Sequence, residues 1–338
     1  MANDVQFSLG TFAGKGAPYA AIVLGDMAVD LNHALRRITP GAPQATIRSM
    51  LEDWDASFPL LRDVANRAAS DGLESPGWSG AAAKIDSLRI LPPVQPPGTI
   101  FQSGANYRKH VIQLSVAHRY GAKEGDSEEE VYARAARMMD ERARTGAPFI
   151  FAGIANAMCG AHDDIVLPAR GAQHDWELEL AVIFGKTARH VPRDRALDYV
   201  AGYAICNDIT TRDLIFRKDV MQLGADWIGS KNAPTFKPTG PYIVPRAFAP
   251  DPMNLRILLK LNGQTMQNES TSDMLFDVAR LIEYTSDLTV IRPGDMLLTG
   301  SPAGNGSHYN RFLQPGDVIE AEITGLGMQR NRCVAETR

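Results

Sequence analysis

The run His174-Asp175-Trp176-Glu177-Leu178-Glu179-Leu180, continuing into Ala181-Val182-Ile183-Phe184, carries residue types that could do chemistry. In a strand, side chains alternate between faces. Trp176, Leu178 and Leu180 then point one way and Glu177 and Glu179 the other, with the two carboxylates about 7 Å apart. An amphipathic strand can present such acids to water. Against that stands the unbroken apolar run 181–184, the pattern of a strand covered on both faces, where paired carboxylates need a cation. A third oxygen donor, Asp208, closes the apolar run 200–206. A strand end can aim it into a cleft, although the same residue can instead cap the helix-like TTRDLIFRKD that follows. Three carboxylates without Cys or His at ligand spacing make a hard oxygen set, suited to Mg2+ and also to Mn2+ or Ca2+ rather than to zinc.

Elements must position those acids. Residues 1–93 read as a small α+β lobe: short alternating segments (VQFSLGTFAG, YAAIVLGDMAVDL) and then a helical stretch, ATIRSMLEDWDASFPLLRDVANRAA. Four prolines between Pro92 and Pro97 forbid helix or central strand and mark an extended connector. From 94 to 338 the chain is dominated by short apolar β-like runs between Gly/Pro turns, with one helical candidate at SDMLFDVARLIEYTSDLT. The segment 124–146, EGDSEEEVYARAARMMDERARTG, is charged and helix-forming, with Ser127 and Glu130 spaced as a capping box, and reads as an exposed helix or lid. The expected fold class is thus α+β, rich in strand.

Composition sets the outer bounds. The chain has 338 residues, 44% apolar and 22% charged, which is long and apolar enough to bury a full core. Its 35 basic and 39 acidic residues give a net charge of −4, so nothing in the composition supports a nucleic-acid surface. Three cysteines (159, 206, 333) without a CxxC pattern read as reduced thiols of a cytoplasm. The apolar runs are far shorter than a bilayer span, and the amino terminus lacks a secretory pattern, so a soluble cytoplasmic protein without membrane partners is expected.

Six segments, in order, carry a resemblance: GANYRKH (104–110), WELEL (176–180), YAICNDITTRD (203–213), Gly229-Ser230-Lys231-Asn232, LKLNGQTMQ (259–267) and LLTGSPAGNG (297–306). Over roughly residues 98–335 the chain resembles the fumarylacetoacetate hydrolase family. The resemblance implies a mixed β-roll or barrel-like catalytic domain, a homodimer, and a divalent metal on Glu177, Glu179 and Asp208. It also implies a small 2-oxo or 2,4-dioxo acid as substrate, carbon–carbon cleavage to a carboxylic acid and a 2-oxo acid, and a degradative role such as aromatic-compound catabolism. Relatives decarboxylate, hydrate or isomerise 2-oxo acids on the same metal. A non-catalytic oxo-acid binding protein is the rival from another class.

The same resemblance assigns roles residue by residue. His110 falls on the family's base, whose pKa range suits water activation; alone, it reads equally as a hydrogen-bonded histidine at a helix start. Many relatives place a Glu three residues later to orient this His, and here that position is Gln113, leaving Glu128, Glu129 or Glu130 of the insertion to substitute. Lys231 matches a lysine beside the metal that balances the carboxylates and carries developing negative charge; an exposed surface lysine is the alternative. Arg212 is placed to take a substrate carboxylate, or to make a helix-surface ion pair. Thr299 is placed to donate its hydroxyl and N–H to substrate, or merely to form a turn. Tyr107 is expected at the substrate. Relatives often carry Phe-x-Lys-Pro ahead of the metal strand, whereas FIFAGIANAM here has no lysine, so a cationic contact is expected to be missing. The long 124–146 insertion is expected to cover the site.

Overall fold

The computed structural model describes residues 5–78 and 80–337. Its amino-terminal part is an antiparallel five-stranded sheet, ordered Ala82–Lys84, Met27–Asp30, Tyr19–Leu24, Ser8–Ala13, Arg89–Leu91. The helix Trp54–Asp71 lies in the same unit and buries Leu61, Val64, Ala65 and Ala68. That i, i+3, i+4, i+7 spacing produces one apolar stripe.

The site is built on a larger mixed sheet. Its order is Phe149–Gly153, Ile100–Gly104, Met296–Leu298, Leu178–Phe184, Val200–Asn207, Lys237–Thr239, Met158–Gly160. The central strand Leu178–Phe184 is buried at every position, as the apolar run predicts. Leu178, Leu180, Val182 and Phe184 face the main core, with Tyr203, Ile257, Leu259, Ile319 and Ile323. Ala181 and Ile183, on the carboxylates' own face, meet a second core shared with Ile22, Val29 and Leu61 of the amino-terminal part. Both faces are therefore covered, and acids at the end of this strand cannot open onto a solvated sheet surface. A further five-stranded sheet, Gln264–Ser270, Arg256–Leu261, Val318–Ile323, Met328–Ala335, Ile165–Leu167, closes the main core from the other side. This is the strand-rich α+β fold the sequence predicts.

Two expectations need correction. TTRDLIFRKD is not a helix; only Arg212–Leu214 forms a single 3-10 turn. The insertion does form a helix, Glu128–Thr145, and Ser127 and Glu130 make the capping box: Ser127 Oγ accepts the Glu130 N–H at 3.2 Å, and Glu130 Oε2 accepts the Ser127 N–H at 2.8 Å. It is not free of the core, because Val131, Ala135 and Met139 recur every four residues and are buried, the last two packing on Ile112 of helix Arg108–Ala117. Arg108 also grips Asp140 at 2.7 Å. The insertion is a brace behind Arg108–Ala117, and none of its residues lines the cleft described below. Among the described residues no helix is long and apolar enough to cross a membrane.

Candidate active site

Antiparallel register brings the three acids together. Leu178 pairs with Asn207 and Glu179 with Cys206, so the residues just outside the paired stretch, Glu177 and Asp208, face each other, and the Asp208 N–H donates to the Glu177 carbonyl at 2.8 Å. Asn207 Oδ1 accepts the Glu177 N–H at 2.9 Å and fixes that strand end. Carboxylate oxygens of Glu177, Glu179 and Asp208 lie within 4.8 Å of one another, and all three residues are buried.

Cations are placed around this cluster. Lys231, from the short helix Trp227–Lys231, donates to Glu177 Oε2 and Asp208 Oδ2, both at 2.5 Å, and to Thr210 Oγ1 at 2.7 Å. Lys231 is therefore buried in the site rather than exposed. Arg212 reaches Glu177 Oε1 at 2.7 Å and Asp175 Oδ2 at 2.8 Å, a part-buried bridge and not a helix-surface pair. Burial alone would raise the Glu177 pKa, but the nearby Arg212 and Lys231 outweigh it and hold the carboxyl well below its usual range. Glu179 shows the opposite balance: burial, then the neighbouring charges of Asp208 and Glu177, push its pKa well above the usual carboxylate range. Its recorded donor is the Gly300 N–H at 2.7 Å, and no ammonium or guanidinium among the described residues reaches it within ion-pair distance. A buried carboxylate short of positive charge, beside two others, is the environment that a hard divalent ion satisfies, and Glu177, Glu179 and Asp208 are the residues that would hold it.

His110 lies in helix Arg108–Ala117 with Nε2 4.0 Å from Glu177 Oε1. Burial, helped by Arg212 and Lys231 and opposed by Glu177, pushes its pKa down to about 4, so the imidazole is neutral near pH 7. Gln113 does not turn to it: its Oε1 accepts the Gly304 N–H at 3.1 Å and ties the 297–306 loop to the helix. Nor does the insertion supply the missing acid. Glu128, Glu129 and Glu130 are exposed at the helix start, and the acid nearest His110 is Glu177 itself.

Two expected substrate contacts do not line the cleft. The Thr299 hydroxyl and N–H both donate to the Leu180 carbonyl at 3.1 Å, because Thr299 continues the ladder of its strand. The N–H that serves the site belongs to Gly300, whose φ of +91° turns it toward Glu179, a conformation natural to glycine. Tyr107 is wholly buried in the main core and does not line the cleft.

Reasoning from sequence missed two residues. Asp175 stands on the same face as Glu177 and Glu179, two positions earlier; its carboxylate takes Arg212, the N–H groups of Gly306 and Ser307 at 2.6 and 3.1 Å, and the Ser307 hydroxyl at 2.9 Å. An acid alternating in register with the Glu-x-Glu pair was the available signal. The other is Lys237, wholly buried on strand Lys237–Thr239, whose Nζ donates to Asp208 Oδ1 and to the Lys231 carbonyl. Lys237 does not line the cleft, so its charge balances Asp208 rather than standing in for the cationic substrate contact missing from FIFAGIANAM. A Cβ built on Gly153, in FIFAGIANAM, would lie 3.0 Å from Lys237 Cε and 2.5 Å from Gln102 Oε1, so Lys237 fills the space a side chain at 153 would enter.

These groups floor a cleft of about 460 Å3, reached by His110, Glu177, Glu179, Asp208, Arg212 and Lys231 from within and by apolar side chains farther out. The chain is 31% identical over 302 residues (89% of this chain, 83% of the relative) to the human mitochondrial oxaloacetate tautomerase FAHD2B. It is 36% identical over 254 residues, 72% of this chain and 73% of the relative, to the fumarylacetoacetate hydrolase domain-containing protein 2 homolog of Dictyostelium discoideum. Among solved structures, maleylpyruvate hydrolase from Sphingobium sp. SYK-6, in complex with manganese(II) ion and pyruvate, superposes with a TM-score of 0.69 at 26% identity over 98% of this chain and 100% of that one. The family model for the fumarylacetoacetate (FAA) hydrolase C-terminal domain matches residues 99–334, which contain every group of the acidic cluster, and the chain belongs to that family.

Proposed function

We propose that the protein is a divalent-cation-dependent enzyme acting on 2-oxo acids through an enolate, with proton transfer at the carbon beside the oxo group as its reaction. The ion, when bound, supplies Lewis-acid polarisation of the 2-oxo oxygen. The chain's own residues do the rest. Glu177, Glu179 and Asp208 hold the ion, and Lys231 lies where negative charge develops. His110, neutral and beside Glu177, accepts the proton at Nε2 and returns it. One observation carries this reading over cleavage: Gln113 is bonded to Gly304, and among the described residues no carboxylate besides Glu177 comes within ion-pair distance of His110 to orient it for activation of a water molecule. The named activity of the human relative, a tautomerase, supports the same choice.

Hydrolysis of a 2,4-dioxo acid is the second reading, favoured by a cleft of about 460 Å3 and by the likeness to a hydrolase structure. Deuterium uptake at C3 of pyruvate, phenylpyruvate and oxaloacetate, followed by proton NMR with Mg2+ present, separates the two. Mg2+-dependent exchange that falls at least ~100-fold in His110→Asn is expected. Cleavage of acylpyruvates with no such exchange would replace this reading by the second.

A further inference from the structure

The cleft has two unlike ends. Charged groups crowd the inner one: Glu177, Glu179 and Asp208, with Lys231 and Arg212. Besides His118, Tyr120 and Gln173, which also line the cleft, the outer wall is formed by Val111, Leu114, Phe151, Ile215, Phe216 and Trp227. Phe151 and Trp227 stack with ring centroids 4.6 Å apart and planes 21° from parallel, which fixes a flat aromatic surface. That surface starts beside the charged end, because Lys231 Nζ stands 6.0 Å from the centre of the Trp227 ring.

The distribution of positive charge decides what the outer end can take. Both permanent cations lining the cleft are already engaged at its inner end, Arg212 by Asp175 and Glu177, Lys231 by Glu177 and Asp208. Neither is left for a second carboxylate at the far end of a substrate, and the His118 imidazole is stacked on Tyr120, with ring centroids 5.3 Å apart. Such a carboxylate would lose water without gaining a charge partner, whereas an apolar or aryl group would gain by leaving water and by stacking.

Resting on the proposed reading of the inner end as a metal-held 2-oxo acid site, we infer that the substrate is a 2-oxo or 2,4-dioxo acid with a neutral, apolar tail of about aryl size, not a dicarboxylate. The inner end recognises the oxo-carboxylate head that all such acids share. Selection among them belongs to the stacked Phe151–Trp227 pair and the aliphatic side chains facing it.

Calorimetric titration of the Mn2+-loaded protein with oxalate, 4-phenyl-2-oxobutanoate and 2-oxoglutarate tests the inference without requiring turnover. The phenyl-tailed acid is expected to bind at least about tenfold more tightly than 2-oxoglutarate. Trp227→Ala should erase most of that ratio, and Leu114→Arg should shift it toward 2-oxoglutarate by about tenfold, since it adds the missing cation. Equal or tighter binding of 2-oxoglutarate by the unaltered protein, with oxalate bound, overturns the apolar tail and leaves the metal-site reading standing. No binding of oxalate overturns both together.

Discussion

The inner and outer ends of the cleft differ in how their groups are held. Inside, the charged side chains other than Glu179 are fixed by several partners: Asp208 by Lys231 and Lys237, Glu177 by Lys231 and Arg212, Asp175 by Arg212 and the backbone of Gly306 and Ser307. Buried charges survive only when so surrounded, and the result is a rigid floor. Outside, Phe151, Ile215, Phe216 and Trp227 are half-buried or exposed and held by packing alone, which any apolar group of similar size can satisfy. Chemistry common to a family belongs on the first kind of surface and discrimination among substrates on the second, because changing a residue of the floor leaves a partner stranded and changing one of the wall does not.

That contrast can be broken most forcefully at Asp208. Asp208→Ala takes the shared carboxylate from two buried lysines and leaves Lys237 without a charge partner, with an expected stability loss of about 3–5 kcal/mol and no Mn2+ binding by calorimetry. A variant as stable as the parent and still binding Mn2+ would show the floor to be far more tolerant than its contacts imply. Gly153→Ala should have the next largest effect. Its methyl group would press on Gln102 and Lys237 and cost about 1–3 kcal/mol in denaturant unfolding. Weakened Mn2+ binding should accompany that loss as Lys237 is pushed from Asp208, and Gly153→Ala combined with Lys237→Ala should recover part of the stability. Loss of stability with Mn2+ affinity untouched would make Lys237 a structural neighbour only. The mildest change is Ser127→Ala, which removes the cap of the bracing helix. A loss of about 1 kcal/mol with oxalate binding to the Mn2+-loaded protein unchanged is expected. Altered oxalate binding would restore the insertion as a lid over the site.

What was legible in the chain had local causes. Glu177 and Glu179 announce themselves through strand alternation, the buried strand 178–184 through its apolar run, and the Ser127–Glu130 cap through a three-residue spacing. Thr299 was misjudged because its hydroxyl meets a carbonyl 119 residues away, on a strand whose pairing no local pattern reveals. Lys237 went unseen for a related reason. It reaches Asp208 across the sheet, and its counterpart in the space it fills is a glycine 84 positions earlier, counting from 153 to 237.

By itself, then, the amino-acid sequence determined which residues could chelate a hard cation, that their strand must be buried, and the family to which the pattern points. Residue type and short-range periodicity carry those facts, since backbone geometry links them directly to face and burial. Only the tertiary structure decided which cations stand beside which acids, that Gln113 and Thr299 are committed elsewhere, and that the insertion braces a helix rather than closing a cleft. Those outcomes depend on side chains from separate strands and helices competing for the same few atoms, and that competition has no expression until the sheets are assembled.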